Sequence, residues 1–381
     1  MPIDMISFSV IKEDHATQAR AGVLQTGHGV VNTPIFMPVG TLRSVKGISQ
    51  AELESEIKAQ IILGNTYHLY LRPGVDVLRE AGGIHRYIDW PGPMLTDSGG
   101  YQIFSLADRR KIKPEGAVFQ SHIDGSKHLF TPENNVEIQR TIGADLIMAF
   151  DECTPYPCDR KYVRKSLQIT HAWLDRGWHH HHLTPPAYDY DQLFIPIIQG
   201  SVYPDLRIES TREILRYDNP LYAIGGLSVG EPHEDMYAIT WEVCRLIPAD
   251  RGRYLMGVGT PENLLVSIGL GIDFFDCVLP TRNARHGLIY TSEGVINMKN
   301  AKWKNSFEPI DPNSGVATSA RYTKAYLHHL IRTGEMLGAR LATLQNLGFF
   351  LWLVNHAREH LLSGTFGDWQ QMMLEKVQKR L

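Results

Sequence analysis

Three acidic residues stand at the ends of short apolar runs that lie far apart in the chain. Pro93-Met94-Leu95-Thr96 runs into Asp97, Leu146 to Phe150 runs into Asp151, and Phe274-Phe275 runs into Asp276. Two further runs end in other polar groups: Phe194 to Ile198 in the amide Gln199, and Tyr222-Ala223-Ile224 in the paired glycines Gly225-Gly226. A short apolar run closed by one polar group is how a buried parallel strand delivers a side chain to the mouth of a barrel. One such acid alone reads equally well as a turn residue. The repetition argues for a site. Two carboxylates flanking a ribosidic carbon can transfer a glycosyl group: one attacks C1′ and forms a covalent intermediate, and the other shuttles a proton on the leaving and entering groups. Asp97-Ser98-Gly99-Gly100-Tyr101-Gln102 suits the proton-transfer role. Its glycines let backbone approach a ligand, and Tyr101 can stack on a flat ring.

The remaining polar ends match the edge of a purine. Asp151 can accept from a ring N–H and an exocyclic amine, and Gln199 can both donate and accept. Gly225 and Gly226 can offer backbone N–H with no side chain in the way. A carboxylate that needs an N–H/NH2 pair favours a guanine-like edge over adenine.

Stepping outward from these residues, eight strand-like runs alternate with helical stretches: 34–40, 59–66, 93–100, 146–152, 194–200, 222–226, 254–259 and 271–276. This alternation predicts an α/β fold, a (β/α)8 TIM barrel with insertions. A doubly wound sheet is disfavoured, because no early strand carries a G-x-G-x-x-G turn and polar residues end nearly every run. Phe8 to Thr33 predicts a hairpin capping the barrel, and Phe119 to Phe130 an inserted hairpin with Asp124-Gly125 at its tip. Helices are expected over 49–57, 71–81, 132–141 and 162–178, with Thr131 as N-cap and Pro132 in the first turn of the third. His179 to His182 reads as a solvated loop before Pro185-Pro186, since consecutive residues point in different directions. Pro280 is expected to end regular structure and open a basic loop. Beyond Leu288 the pattern changes to a small hairpin around Gly294, a loop-like stretch over 302–319, and helices over 321–340, 341–362 and 366–381. The expected division is a barrel over 1–290 and a C-terminal helical subdomain over 291–381.

Composition bounds the function class. Of 381 residues, 43% are hydrophobic and 21% charged, enough for a large core and too ordered a composition for long disorder. A formal net charge of -3 excludes wholesale coating of nucleic acid but leaves room for a local basic patch. The four cysteines, Cys153, Cys158, Cys244 and Cys277, form no C-x-x-C pair and read as reduced thiols. Met1 to Val10 lacks the charged and apolar regions of a secretion signal, and the longest apolar stretch, Leu347 to Val354, is too short to span a bilayer. The expected location is the cytoplasm, with no membrane partner.

Six segments in fixed order carry a resemblance: 97–102, Phe150-Asp151-Glu152-Cys153, Gln199-Gly200, 225–231, Met256-Gly257-Val258-Gly259-Thr260-Pro261 and 276–282. Over nearly its whole length the chain resembles the tRNA-guanine transglycosylase (queuine tRNA-ribosyltransferase) family of the bacterial type. The resemblance implies base exchange at the wobble guanosine of a tRNA anticodon loop, with a flipped, unstacked base as substrate. Asp276 would be the nucleophile and Asp97 the proton acceptor for the incoming base. Asp97, Ser98, Gly99, Gly100, Tyr101, Asp151, Cys153, Gln199, Gly226, Leu227, Val229 and Met256 would surround the base. Gly257, Val258, Gly259, Thr260, Pro261, Glu262 and Asn263, with Thr281, Arg282, Asn283, Ala284 and Arg285, would bind the anticodon loop. Cys153 and Val229 are the types found in family members that use pre-queuosine1, a 7-aminomethyl-7-deazaguanine, rather than queuine. The peptide after Leu227, near Glu231, would take its ammonium. A homodimer is implied too.

The chain departs from the family at one place. The family's structural zinc is held by a Cys-x-Cys-x2-Cys cluster and a later His, and the matching positions here are Ser314, Val316, Ser319 and Gln345. These are poor zinc ligands. The expected C-terminal subdomain has no zinc and no other metal or cofactor, and is held by apolar packing from Tyr326, Leu327, Leu330, Leu337, Phe349, Phe350, Leu351 and Trp352. Three other readings compete: a non-catalytic tRNA-binding paralogue, disfavoured because both Asp97 and Asp276 are present; a base exchanger acting on DNA or another RNA; and a sugar hydrolase, disfavoured because the polar set suits a heterocycle edge rather than a row of hydroxyls.

Overall fold

The computed structural model describes residues 6–41, 44–106 and 109–381. The first five residues of the stretch read for a secretion signal lie outside them. Eight parallel strands form a barrel from two five-stranded sheets. One joins 39–40, Ile62–Gly64, Met94–Thr96, Leu146–Met148 and Leu193–Ile195, and the other joins Ile197–Ile198, Leu221–Ile224, Gly252–Leu255, Phe274–Asp276 and Ile35–Met37. The first and fifth strands each pass from one sheet to the other at a proline, Pro38 and Pro196, where the missing N–H interrupts the ladder. Phe274, Phe275 and Asp276 pair with Ile35, Phe36 and Met37, so the last strand closes on the first.

The strands read as continuous apolar runs because both faces are covered. Ile35, Met37, Leu63, Leu95, Leu146, Met148, Ile195, Ile197, Leu221, Ala223, Tyr254 and Phe274 fill one core, and Leu24 and Val31 of the N-terminal strands join it. The predicted N-terminal hairpin is a three-stranded antiparallel sheet, Ser7–Glu13, Arg20–Thr26 and Gly29–Thr33, plugging the barrel. Asp273, the acid that interrupts the final apolar run before Asp276, is fully buried and accepts from the Arg20 guanidinium and the Arg253 N–H.

A second ionic group ties this sheet to the barrel floor. Asp145 is fully buried; His28 Nδ1 lies 2.7 Å from its Oδ1, Met94 N–H donates to its Oδ2, and His85 Nε2 sits 3.3 Å from Oδ2, off line for a hydrogen bond. Burial pushes this carboxyl up, but the two histidines outweigh it and hold it at about 2. A carboxyl lowered on folding adds stability that is complete above its ordinary value near 3.8 and is lost as pH falls towards 2. Asp145→Ala should therefore lower stability by about 2–4 kcal/mol at neutral pH and flatten the acid-unfolding profile between those values, measured by denaturant titration across pH.

Several elements differ from expectation, each for a local reason. The helix expected over 71–81 is only Val75–Glu80, because Pro73 and Gly74 at φ 98° part it from a separate helix, Thr66–Leu71, that the sequence reading did not expect. The inserted hairpin gains a third strand, Arg110–Lys113, beside Gly116–Gln120 and Lys127–Phe130. The histidine run is no loop: helix Arg160–Leu183 continues through it. His180 pairs with Glu137, His181 stacks on Phe194, and the Arg140 guanidinium binds the carbonyls of His181 and Thr184 at the helix end, where a cation is favoured. Pro280 likewise starts a helix, Leu279–Arg285, since its missing N–H costs nothing in the first turn.

In the C-terminal part, Leu288–Thr291 and Gly294–Asn297 form the expected hairpin. Helices Lys324–Thr333 and Met336–Ser363 meet at Gly334, whose left-handed φ of 74° ends the first; the break falls there and not at residue 340. Tyr326 and Leu337 are 40% and 39% exposed and do not belong to the packing expected of them, whereas Leu327, Leu330, Phe349, Phe350 and Leu351 are buried. Helix Met336–Ser363 is long and apolar enough to cross a membrane, but 78% of its apolar window is buried within the protein. Phe350 sits edge-on to Phe36 of the first barrel strand, at 5.0 Å.

Candidate active site

The carboxyl ends of the strands open into one cavity of about 330 Å³. Asp97, Ser98, Tyr101, Asp151, Cys153, Gln199, Gly226, Leu227, Val229, Met256, Gly257, Asp276 and Arg282 all line it. The acids brought together come from positions up to 179 residues apart, because parallel strands present their C-terminal ends on one face.

Each carboxylate is held differently. Asp97 Oδ2 accepts from Asn65 Nδ2 (2.5 Å) and Gln102 Nε2 (2.8 Å), and its Oδ1 from the N–H groups of Thr66 (2.8 Å) and Gly99 (3.2 Å). Burial raises its pKa to about 6 in spite of these donors, and the negative charge of Asp276 adds to the rise. Asp151 is 8% exposed, accepts from Gln199 Nε2 at 2.7 Å and Ser98 Oγ at 2.9 Å, and is also raised by burial to about 6. Asp276 receives both its hydrogen bonds on one oxygen: Tyr254 OH and Gly257 N–H each donate to Oδ1 at 2.7 Å. Among the described residues Oδ2 has no donor. Burial raises this carboxyl as well, against the lowering effect of its two donors.

The flanking thiols are not competitors. Burial pushes Cys153 and Cys277 up to about 12, so both stay protonated at neutral pH and are poor nucleophiles.

Gly99 and Gly100 do not line the cavity. A Cβ on Gly100 would sit 2.6 Å from the Asp151 carbonyl and 2.8 Å from its Oδ1, so this glycine makes room for Asp151 rather than for a ligand. A Cβ on Gly226 would lie 2.2 Å from Gln199 Oε1. Beneath Gly226, the buried Arg207 guanidinium donates to the carbonyls of Ser201, Ile198 and Gly226. Glu231 accepts from the N–H groups of Ser228 and Val229.

Of the residues expected to meet nucleic acid, Arg282 lines the cavity and is exposed; Arg285 is exposed too and donates to the Thr281 carbonyl. Thr260 caps helix Pro261–Gly269 through the Asn263 N–H, and Glu262 accepts from Gln378. Val258 and Ala284 are fully buried, Thr281 and Asn263 nearly so, and Asn283 donates to Tyr290 OH; Gly259 packs on Asn263. Sequence reading missed Asn65, Tyr254 and His68 in the lining. Asn65 was findable, since it too ends an apolar run. Tyr254 lies inside its strand and carries no such mark.

A profile of the family described as TGT, Queuine tRNA-ribosyltransferase, matches residues 14–379. The chain belongs to the queuine tRNA-ribosyltransferase family. It is 50% identical over 372 residues to a queuine tRNA-ribosyltransferase of Desulforudis audaxviator (strain MP104C), covering 97% of this chain and 98% of that one. It is 47% identical over 371 residues to one of Thermoanaerobacter sp. (strain X514), covering 97% of each, and 49% identical over 365 residues to one of Ruminiclostridium cellulolyticum, covering 96% of each. As a member of this family of glycosyltransferases it is an enzyme, and the non-catalytic reading is set aside. Its barrel is the family's (β/α)8 fold.

Proposed function

We propose that this tRNA-guanine transglycosylase replaces the wobble guanine of a tRNA anticodon loop by double displacement. A lone pair of Asp276 Oδ2 attacks C1′ of the ribose; the C1′–N9 bond breaks and its electrons leave with guanine, which takes a proton from water. The incoming base then gives its N9 proton to the ionised Asp97, which passes it to water, and its N9 attacks C1′ and expels Asp276 as the carboxylate. Asp151, Gln199 and Gly226 hold the base edge, with Tyr101 beside its face. The observation that carries this reading is the shared cavity in which Asp276 keeps one oxygen free of donors beside Asp97. Incorporation of radiolabelled guanine into unfractionated tRNA, with a denaturing gel to retain a protein–tRNA adduct, tests it. Labelling of single-stranded DNA in preference to tRNA, or net hydrolysis without exchange, would count against it.

Within this reaction the incoming base is a 7-deazaguanine bearing an aminomethyl group, favoured over queuine. Cys153 and Val229 narrow the wall that a larger substituent would need. Glu231 binds the Ser228 N–H, and a trans peptide aims its carbonyl the opposite way, so the Leu227 carbonyl is free to accept from an ammonium. Competition between labelled queuine and labelled aminomethyl base should favour the latter. Arg282 and Arg285 meet the anticodon-loop phosphates, flanked by the segments 257–263 and 281–285. The enzyme works in the cytoplasm, where tRNA is modified, as a homodimer; sedimentation of the purified chain tests the latter.

Tyr254 positions the nucleophile without touching the substrate carbon. Tyr254→Phe removes a hydrogen bond to a charged group, so exchange should fall about 10-fold or more in kcat with little change in KM for tRNA. Because the phenol favours the ionised form of Asp276, the acid limb of the profile should also move to higher pH.

A further inference from the structure

We infer that the C-terminal part of this chain dispenses with the zinc that its resemblance to the family implies, and that hydrogen bonds gathered on Asp311 hold it instead. Ser314, Val316, Ser319 and Gln345, which stand where the ligands would be, are all buried, and all but Val316 bond to this one residue. Ser314 Oγ donates to the Asp311 carbonyl at 3.2 Å. The Asp311 N–H donates to the Ser319 carbonyl at 3.3 Å, and the Ser319 N–H to that of Val316 at 3.0 Å. Gln345 Nε2 lies 3.3 Å from Asp311 Oδ2 and 2.7 Å from the Tyr290 carbonyl, to which it also donates.

The donor set does not fit zinc. The ion takes thiolate, imidazole or carboxylate, four of them in structural sites. Two of the four positions carry hydroxyls, one carries methyls and one an amide. Ser319 Oγ and Gln345 Oε1 are the buried atoms here without a partner, and both are neutral oxygens. The nearby carboxylate is already committed: Asp311 Oδ1 accepts from Ser292 Oγ (2.8 Å) and the Asn313 N–H (3.1 Å), and Oδ2 from the Ser292 N–H (2.8 Å) and Gln345. No cysteine follows Cys277 in the chain.

The same contacts show what replaces the metal. Asp311, 3% exposed, joins three segments that are separate along the chain: the hairpin Leu288–Thr291/Gly294–Asn297 through Ser292, the turn leading to helix Ala317–Arg321, and helix Met336–Ser363 through Gln345. Val316 completes the joint by packing on the long helix. A Cβ on Gly348 would lie 1.9 Å from Val316 Cγ2, so the methyl occupies the groove that this glycine leaves open. A metal cross-link between loop and helix has become a carboxylate cross-link plus one apolar contact.

The proposal is tested on the purified full-length chain, independently of the reaction assigned above. Elemental analysis after dialysis should find no stoichiometric zinc, and the melting temperature should be the same with and without EDTA. Asp311→Asn should lower the melting temperature by several degrees, because it puts an N–H2 where donors already converge. Ser319→Ala should leave it unchanged or raise it, since it removes a buried hydroxyl that has no partner. If Asp311→Asn does not fold, Gln345→Leu, which cuts the same joint from the helix side, takes its place with the same expected loss. One zinc per chain that survives dialysis, or melting lowered by EDTA, would overturn the proposal. So would a destabilised Ser319→Ala alongside an unaffected Asp311→Asn.

Discussion

Asp276→Asn is expected to abolish guanine exchange, with a loss of at least about 10³-fold in kcat/KM and no retained adduct on a denaturing gel. The amide keeps the volume of the side chain and can still accept from Tyr254 and Gly257, so the protein should fold and bind tRNA. What disappears is the negative oxygen. The two hydrogen bonds on Oδ1 leave Oδ2 as the atom that can form a bond to C1′. An Asp276→Asn enzyme that still incorporated labelled guanine at a tenth of the normal rate would remove Asp276 from that role. The expected fall is large because the Cys277 thiol next to it is held protonated and cannot take its place.

The second large effect concerns protons. In the proposed reaction Asp97 acts on the incoming base only when ionised, and burial places its pKa at about 6, as it does that of Asp151. Exchange should therefore decline as pH falls through about 6, in a limb that belongs to both carboxyls jointly. The direction follows from the rise: below that pH Asp97 carries its proton and cannot accept another, while a protonated Asp151 turns from acceptor to donor on the base edge. Asp97→Asn should cost about 10²–10⁴-fold in kcat at pH 7.5, the usual worth of a positioned acid–base group. In contrast to Asp276→Asn, the slow variant should still form the covalent adduct when guanine is kept scarce. A pH–rate profile flat from 5 to 8 in the parent enzyme would contradict the proton role given to Asp97.

These two expectations separate the parts of the site by what each carboxylate touches. Asp97 is wrapped by four donors and lifted by burial to about 6, which suits the proton transfer proposed for it. Asp276 has two donors on one oxygen and is left open on the other. Asp151 is clamped between Ser98 and Gln199, one donor on each oxygen. The three acids have a common origin in strand ends but differ in their hydrogen-bonding company.

Much of this was legible in the chain itself. Strand periodicity, length and the polar residue closing each apolar run were enough to assign a barrel and to bring Asp97, Asp151, Gln199, Gly226 and Asp276 to one mouth. That inference works because a parallel barrel has a single C-terminal face, so a residue's place at the end of its strand already determines its side of the molecule. Local signals also sufficed for helix Pro132–Ile142, where Thr131 and Asn134 cap each other as the residue types imply.

Other features depended on partners that no local window contains. Pro280 and the histidine run were ambiguous because proline both ends and starts helices, and because His181 is helical where Phe194 and Arg140 receive it from other segments. Tyr254 reaches Asp276 across 22 positions, and Asn65 reaches Asp97 across 32. Gln345 meets Asp311 from 34 residues away. Sequence alone determined that Asp97, Asp151, Gln199, Gly226 and Asp276 face the cavity, since strand ends are properties of short segments. Only the tertiary structure decided which oxygen of Asp276 is free, how far burial lifts each acid, and what holds the C-terminal part together, because hydrogen bonding and desolvation are set by neighbours brought near through folding.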